Sequence, residues 1–390
     1  MNSRKTILIF GGGYLQQYLI NNAKEKELFT VVIDPDENAY CKNQADVFCV
    51  VNGQDFNATL KVAKEFNVDG IITTATDKPL VMMARIGEEL RLPFFSVNTA
   101  LISTDKSEMK KVFLSHGIPC AKGVEIKKAD DYNGSFPIIV KPRDNSGSRG
   151  VFFCKNKKEL ESIFQKVISY TKKETVLVED FIQGDEYSIE TLHYRGKHIV
   201  IQFTEKTTTP FPYNVELEHK QPAELSSGKK DEIIEIINKI GNAFQFINCA
   251  SHTELKIMKN GNIKIIETSP RLGGDFITSH LVPLSTGVNM ESLLLDIATN
   301  NFFVIPVSKN RASMAYFFNF EAGKIYENVK SKFTSLKQFD GVVDFEFNLK
   351  EGERFPLIEN SLNRYGHLIL QADNRDKIEV LRKNIIELLN

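Results

Sequence analysis

Two hydrophobic rhythms alternate along the first quarter of the chain. A short apolar run, ILIF, ends in a glycine turn, and the next stretch, YLQQYLINNAKEK, carries its apolar residues at helical spacing. FTVVIDPD and ADVFCVV read as strands, ATLKVAKEFNV as a helix and DGIITTATD as a further strand. Short buried strands alternating with helices imply a parallel sheet with right-handed crossovers. Residues 1 to about 100 are therefore expected to form an open, Rossmann-like α/β domain.

The pattern then shifts towards hairpins. STDKSEMKKVFLSHGIPCAKG predicts a helix with Ser103 or Thr104 as N-cap and a stop at Gly117 and Pro119. FPIIVKP predicts a strand that ends in Lys141, RDNSGSRG a loop and VFFCKN the returning strand. KKELESIFQKVISY reads as an amphipathic helix and TVLVEDFI as a strand. A hairpin is expected about Arg195-Gly196, then a long helix over KKDEIIEIINKIGNAF, then a second hairpin about Asn260-Gly261-Asn262. From about residue 306, the strands ASMAYFFNF and VVDFEFNL and the helix RDKIEVLRKNIIELL predict a small α+β unit.

Composition narrows the function. A chain of 390 residues exceeds one ordinary core, so two or three domains are expected. The net charge of -1 supplies no global field for nucleic acid or an anionic membrane, and an anionic ligand must be held by a local cluster. The five cysteines are scattered and form no C-x-x-C pair, which fits a reducing compartment and offers no zinc site. MNSRKTILIFGGG lacks the features of a signal peptide, and no run approaches the roughly 18 apolar residues of a membrane span. A cytoplasmic location is expected. Gly11, Gly13 and Asp34 have the order of a dinucleotide fingerprint, but its third glycine position holds Gln16, so the match is weak.

Three stretches carry candidate chemistry. Glu254 and Glu267 flank the second hairpin turn and become near neighbours across the ladder. Opposed carboxylates destabilise a sheet unless a cation sits between them. Oxygen donors suit Mg²⁺ or Mn²⁺, and two solvated acids on an exposed hairpin are the alternative. In IIVKPRDNSGSRGV, an apolar strand delivers Lys141 to a Ser/Gly loop whose N–H groups can form an anion nest. The loop is no Walker A motif, and a plain surface hairpin is its alternative. In VLVEDFIQGDEYSIE, a strand-end acid precedes Phe181-Ile182, which can line a flat apolar slot, with Glu186 beyond. An acidic bend between strands is the competing reading.

The three stretches occur in the order in which the ATP-grasp superfamily carries them. The chain resembles most closely its carboxylate–amine ligases, the L-amino acid ligase and carbamoyl-phosphate-synthase-like branch. The resemblance implies a Rossmann-like pre-ATP-grasp domain over 1–100, a two-lobed ATP-grasp fold over 101–305 with a lid at about 118–180, and an α+β extension over 306–390. It implies that Lys106 and Lys141 bind phosphates and that Ser146, Gly147, Ser148 and Gly150 form the lid loop. Glu179, Asp180, Phe181 and Ile182 resemble the adenine hinge, Glu186 the ribose acid, and Glu254 and Glu267 the Mg²⁺ ligands. Ser269 stands where many members place Asn as a further metal ligand, which leaves the number of metal ions open.

The implied reaction joins a small carboxylate, such as an amino acid, to an amine through an acyl phosphate, with ATP converted to ADP. Arg271 would hold the acyl phosphate, and Gly273 and Gly274 would let the backbone approach it. Asp77 and His280 are weaker candidates for contact with the acid or amine. Expected partners are these small molecules, with a homodimer allowed and neither nucleic acid nor membrane. The rival readings are a non-catalytic nucleotide-binding protein, a bicarbonate-using carboxylase-type enzyme and a dinucleotide-dependent oxidoreductase, the last disfavoured by the ordered motifs.

Overall fold

The computed structural model describes residues 4–325 and 329–389, with backbone alone at 329–331. The apolar runs Thr6–Phe10, Phe29–Asp34, Val47–Val50 and Gly70–Ile72 pair in parallel as a four-stranded sheet. Helices Gln17–Glu25 and Phe56–Glu65 bury their apolar faces against it.

The glycine turn after Thr6–Phe10 is closed from within. Gly11 has φ +97°. The Asp34 carboxylate accepts a hydrogen bond from the Gly12 N–H at 2.8 Å, and the Gln16 carboxamide donates to the Thr74 carbonyl at 2.9 Å. The Gln16 side chain packs over Gly11 and Gly13, filling the place where a pyrophosphate would approach a dinucleotide turn.

Two local expectations need correction. The strand expected over DGIITTATD ends at Ile72. There the Thr73 hydroxyl turns to donate to the Phe10 carbonyl, and Thr74 bridges Leu272 instead. Asp77 therefore lies in a connection and not at a strand end. The N-cap of helix Lys106–Ser115 is Asp105, whose carboxylate accepts from the Ser107 and Glu108 N–H groups. Ser103 and Thr104 instead close the preceding helix, Val97–Thr104.

An eight-stranded antiparallel sheet forms the body of the molecule. Its order is Ile263–Ser269, Cys249–Met258, Gly184–Tyr194, Lys197–Thr208, Glu216–Gln221, Ala312–Phe317, Gly366–Ala372, Val342–Phe347. Both expected hairpins are present, with Arg195 and Gly196 at φ 49° and 75° in the first turn. The strands after residue 306 extend this same sheet. A separate four-stranded antiparallel sheet, ordered Gly123–Ile126, Val176–Asp180, Ile138–Lys141, Phe152–Cys154, packs helix Lys157–Ile168 over its own small core. The largest core joins the parallel sheet to helices Lys106–Ser115 and Ser227–Ala243 and to the inner strands of the large sheet. Among the described residues no helix is long and apolar enough to cross a membrane.

Gly70 fixes how the parallel sheet meets helix Met290–Ala298: a Cβ there would lie 2.3 Å from the Ala298 carbonyl oxygen. Backbone cannot yield as a flexible side chain can. Gly70→Ala is expected to lower stability by about 2 kcal/mol, read as a fall in the chemical denaturation midpoint. An unchanged midpoint would contradict this packing.

Candidate functional site

A cavity of about 450 Å³ opens between the small sheet, the large sheet and the loops after the parallel strands. The apolar strand Ile138–Lys141 carries Lys141 to its wall, and Val176–Asp180 carries Glu179 beside it. Both side chains are buried, with the ammonium 2.5 Å from the carboxylate. Lys110 reaches the other Glu179 oxygen at 2.7 Å. Burial alone would raise the Glu179 pKa, but Lys141 and Lys110 hold it below its ordinary value. Within the stretch expected to form the adenine hinge, the Glu179 side chain is thus a counter-ion for two lysines. Lys110 is absent from the sequence-derived candidates, although it lies one helical turn after Lys106 and so shares its face.

Lys106 begins its helix at the cavity. Its ammonium donates to the Asn145 carbonyl at 2.8 Å and pairs with Glu267 at 3.0 Å. Gly147, Ser148 and Gly150 follow with φ 66°, 56° and 80°, a left-handed path that suits a glycine-rich loop. Ser146, Gly147 and Ser148 line the cavity, whereas Gly150 packs against Tyr170. Beyond Asp180, the rings of Phe153, Phe181 and Phe211 meet at centroid distances of 4.7 to 5.1 Å. With Ile182 they make an apolar slot.

Glu254 and Glu267 stand directly opposite one another in the ladder. The cations that their repulsion requires are present as side chains. Lys206, nearly inaccessible, lies 2.5 Å from Glu254 and 3.5 Å from both Glu186 and Glu216. His252 lies 3.3 Å from Glu254 through Nε2 and 2.7 Å from Glu190 through Nδ1. Burial would lift Glu254, yet Lys206 and His252 hold it well below its ordinary pKa. Burial, helped by repulsion from Glu254, raises Glu186 against the pull of Lys206. Glu186 is thus more ready to take a proton than Glu254.

The carboxylates of Glu186, Glu216 and Glu254 approach within 4.8 Å of one another, with Lys206 among them. An all-oxygen donor set suits a hard divalent cation. Glu267 lies outside this trio but lines the same cavity opposite Glu254, with Lys106 and Lys206 as the cations beside the two acids.

Arg271 also lines the cavity. It grips Asp77, 194 residues away in sequence, at 2.8 and 3.2 Å, and donates to the Leu272 carbonyl. Three of its N–H groups are used in this way, and the remainder are left for a ligand. Burial opposes ionisation of Asp77, but Arg271 and the Ser269 hydroxyl bring its pKa down to about 2.

Besides Gly150, four candidates do not reach the cavity wall. Ser269 is absent from the lining and donates its hydroxyl to Asp77 at 2.5 Å, a hydrogen bond that supports the Asp77–Arg271 ion pair. Asp77 itself is committed to Arg271 and Ser269. Gly273 packs on Glu190 and His252, where a Cβ would come within 2.8 and 2.9 Å, and only Gly274 faces the cavity. His280 lies in the π-helical turn Ile277–Leu281 with its ring against Tyr18 and Phe276. Lys206, Glu216, His219 and His252 also line the cavity, and none of them is among the sequence-derived candidates. Their signal, alternation along strands that each hold one polar face, appears only once the register is known.

This arrangement of a separate sheet closing over the large sheet has counterparts. Residues 134–279 match the family model described as ATP-grasp domain, and the chain therefore carries an ATP-grasp domain. Along its sequence it is 28% identical over 313 residues to an alanine–anticapsin ligase of Bacillus amyloliquefaciens, a match covering 73% of this chain and 65% of that one. The chain thus spans somewhat less than two thirds of that relative's length. Its fold is that of an L-amino acid ligase from Bacillus licheniformis, with TM-score 0.86 and 20% identity over 99% of this chain and 98% of that one. An N5-carboxyaminoimidazole synthetase from Staphylococcus aureus complexed with ADP shares the fold at TM-score 0.77 and 16% identity, covering 100% and 99% of the two chains.

His252 gives the cluster a pH signature. Burial would lower its pKa, but Glu190 and Glu254 push it from the usual 6.5 up to about 9. A raised pKa contributes stability that is complete below pH 6.5 and lost as pH rises through 9. In metal-free protein, stability should fall across that window, and His252→Gln should flatten the fall. Denaturation midpoints measured at both ends for parent and variant check this. Equal slopes would show that His252 is neutral.

Proposed function

We propose that the chain is an ATP-dependent carboxylate–amine ligase that forms ADP, phosphate and an amide, with an amino acid or similar small carboxylate as acid. The observation that carries this reading is the convergence of Lys106, Lys141, the Glu254/Glu267 pair and Arg271 on one cavity beside an aromatic slot. A phosphate binder needs the lysines alone. The additional arginine and acid pair suit a site that must also hold a carboxylate while charge moves between oxygens.

In this reading the slot of Phe153, Phe181 and Phe211 takes the adenine, with the backbone of Asp180 to Ile182 along its edge and Glu186 at the ribose. Lys106, Lys141 and the N–H groups of Ser146 to Gly150 bind the phosphates. Glu254 and Glu267 hold Mg²⁺ or Mn²⁺, which offsets phosphate charge. The substrate carboxylate attacks the γ-phosphorus, ADP leaves, and the acyl phosphate passes to the amine with release of phosphate. Arg271 holds the acyl phosphate through the N–H groups that Asp77 leaves unused. Residues 118–180 act as the lid that keeps water from this intermediate. Asp77 acts through Arg271, and Gly274 replaces Gly273 as the glycine at the substrate. The relatives named as ligases support the reaction type, and a reducing, cytoplasmic setting fits the five unpaired cysteines.

A screen of carboxylate and amine pairs with Mg-ATP, read by chromatography of the nucleotides, tests the proposal. Substrate-dependent ADP is expected, and substrate-dependent AMP with pyrophosphate would refute it. Arg271→Lys separates binding from turnover. Lysine keeps the charge and loses the planar fork, so turnover should fall on the order of a hundredfold, about 3 kcal/mol. Affinity for a non-hydrolysable ATP analogue should change far less. A parallel loss of both would place Arg271 in the nucleotide site.

A further inference from the structure

The two phosphate lysines reach the cavity from different bodies. Lys141 ends a strand of the small sheet, and Lys106 begins a helix packed into the main core. Lysine is a point charge on a flexible stem, so phosphate recognition by two of them depends on what holds their backbones together. Arg143 spans this seam without facing the cavity.

Its side chain is largely buried and almost fully committed. Nε and Nη2 grip both oxygens of Asp105 at 3.1 and 2.8 Å, a bidentate pair. Nη1 donates to Glu125 at 2.5 Å and to the Thr175 hydroxyl at 2.8 Å, both on the small sheet's side of the seam. Glu108 lies 3.9 Å away, and Lys173 meets Asp105 at 3.3 Å. Asp105 is also the N-cap of the helix that Lys106 opens, and the Lys106 N–H donates to the Arg143 carbonyl at 2.9 Å. One arginine thus fixes the first turn of the Lys106 helix to the segment two residues beyond Lys141.

Resting on the ATP-binding reading above, we propose that Arg143 is a positioning residue, which through Asp105 clasps the small sheet to the Lys106 helix and holds Lys106 and Lys141 in one frame for the triphosphate. The clasp fixes the base of the Ser/Gly loop, so only its tip, around Ser146 to Ser148, is left to move. A surface ion pair contributes little, but this one is largely withdrawn from solvent, bidentate and joined to a helix cap.

Asp105→Asn is the informative variant, because asparagine caps a helix as well as aspartate while losing the charge that Arg143 grips. Asp105→Asn and Arg143→Gln should each weaken binding of a non-hydrolysable Mg-ATP analogue by about tenfold. The double variant should be no weaker than the worse single one, and Arg143→Lys should recover part of the loss. In nucleotide-free protein both single variants should speed amide hydrogen exchange in residues 138–150 and in the first turn of helix Lys106–Ser115. Losses that add in the double variant, or a lowered melting temperature with unchanged affinity and exchange, would overturn the proposal. If the parent chain binds no nucleotide, the ATP reading fails, and the exchange measurement alone then decides whether the clasp exists.

Discussion

Buried like charges must be neutralised, and the cavity is arranged around that constraint. Glu186, Glu216 and Glu254 converge because Lys206 lies among them, and Glu267 tolerates its position opposite Glu254 because Lys106 reaches it. Lys110 and Lys141 are held by Glu179 in the same way. Breaking a buried pair by removing one partner leaves an uncompensated charge, a cost of about 3–5 kcal/mol. If the cavity takes Mg-ATP, Mg²⁺ would take over the acids from the lysines and the triphosphate would take over the lysines from the acids. Each half of the ligand would then replace a counter-ion that the protein supplies in its absence.

The fold makes this pairing possible by placing strands of distant sequence in one register. Glu254 faces Glu267 in one ladder, while Lys206 faces Glu186 in another two strands away. A single pleat face thus gathers acids and their cation. Gly273 keeps the seat beneath them open, since any side chain there would displace His252 and Glu190. Asp275 and Phe276 then adopt φ of 50° and 66°, a left-handed path that is uncommon for such residues. Arg364, two residues before strand Gly366–Ala372, holds Asp275 at 2.8 and 2.9 Å. The late strands are thereby tied to the cavity floor.

Much of this was legible in the sequence where the signal is local. The two hairpins follow from turn residues and alternation, and the opposition of Glu254 to Glu267 follows from counting back from the turn. Lys141 at the end of PIIV was legible because an apolar strand has one buried destination. Partnerships made by tertiary packing were not legible. Asp77 holds Arg271 across 194 residues, and no spacing rule links them. The same holds for Arg364 with Asp275 and for Lys206 with acids from three strands. Nor does its place after Glu267 show that the Ser269 hydroxyl donates to Asp77. Thr73 and Thr74 continued a β-rich run, but Thr73 bonds the Phe10 carbonyl through its hydroxyl and Thr74 bridges Leu272 instead.

Exchange of counter-ions predicts how the two parts of the ligand bind, alone and together. Calorimetric titrations would use Mg²⁺ alone, a non-hydrolysable ATP analogue alone, and the two together on the full chain. If Lys206, His252 and Lys106 occupy the acids while Glu179 and Glu267 occupy the lysines, each part alone should bind weakly. Together they should bind at least about tenfold more tightly, with the same coupling factor whichever is added first. Tight binding of Mg²⁺ alone, or analogue affinity independent of Mg²⁺, would contradict the exchange.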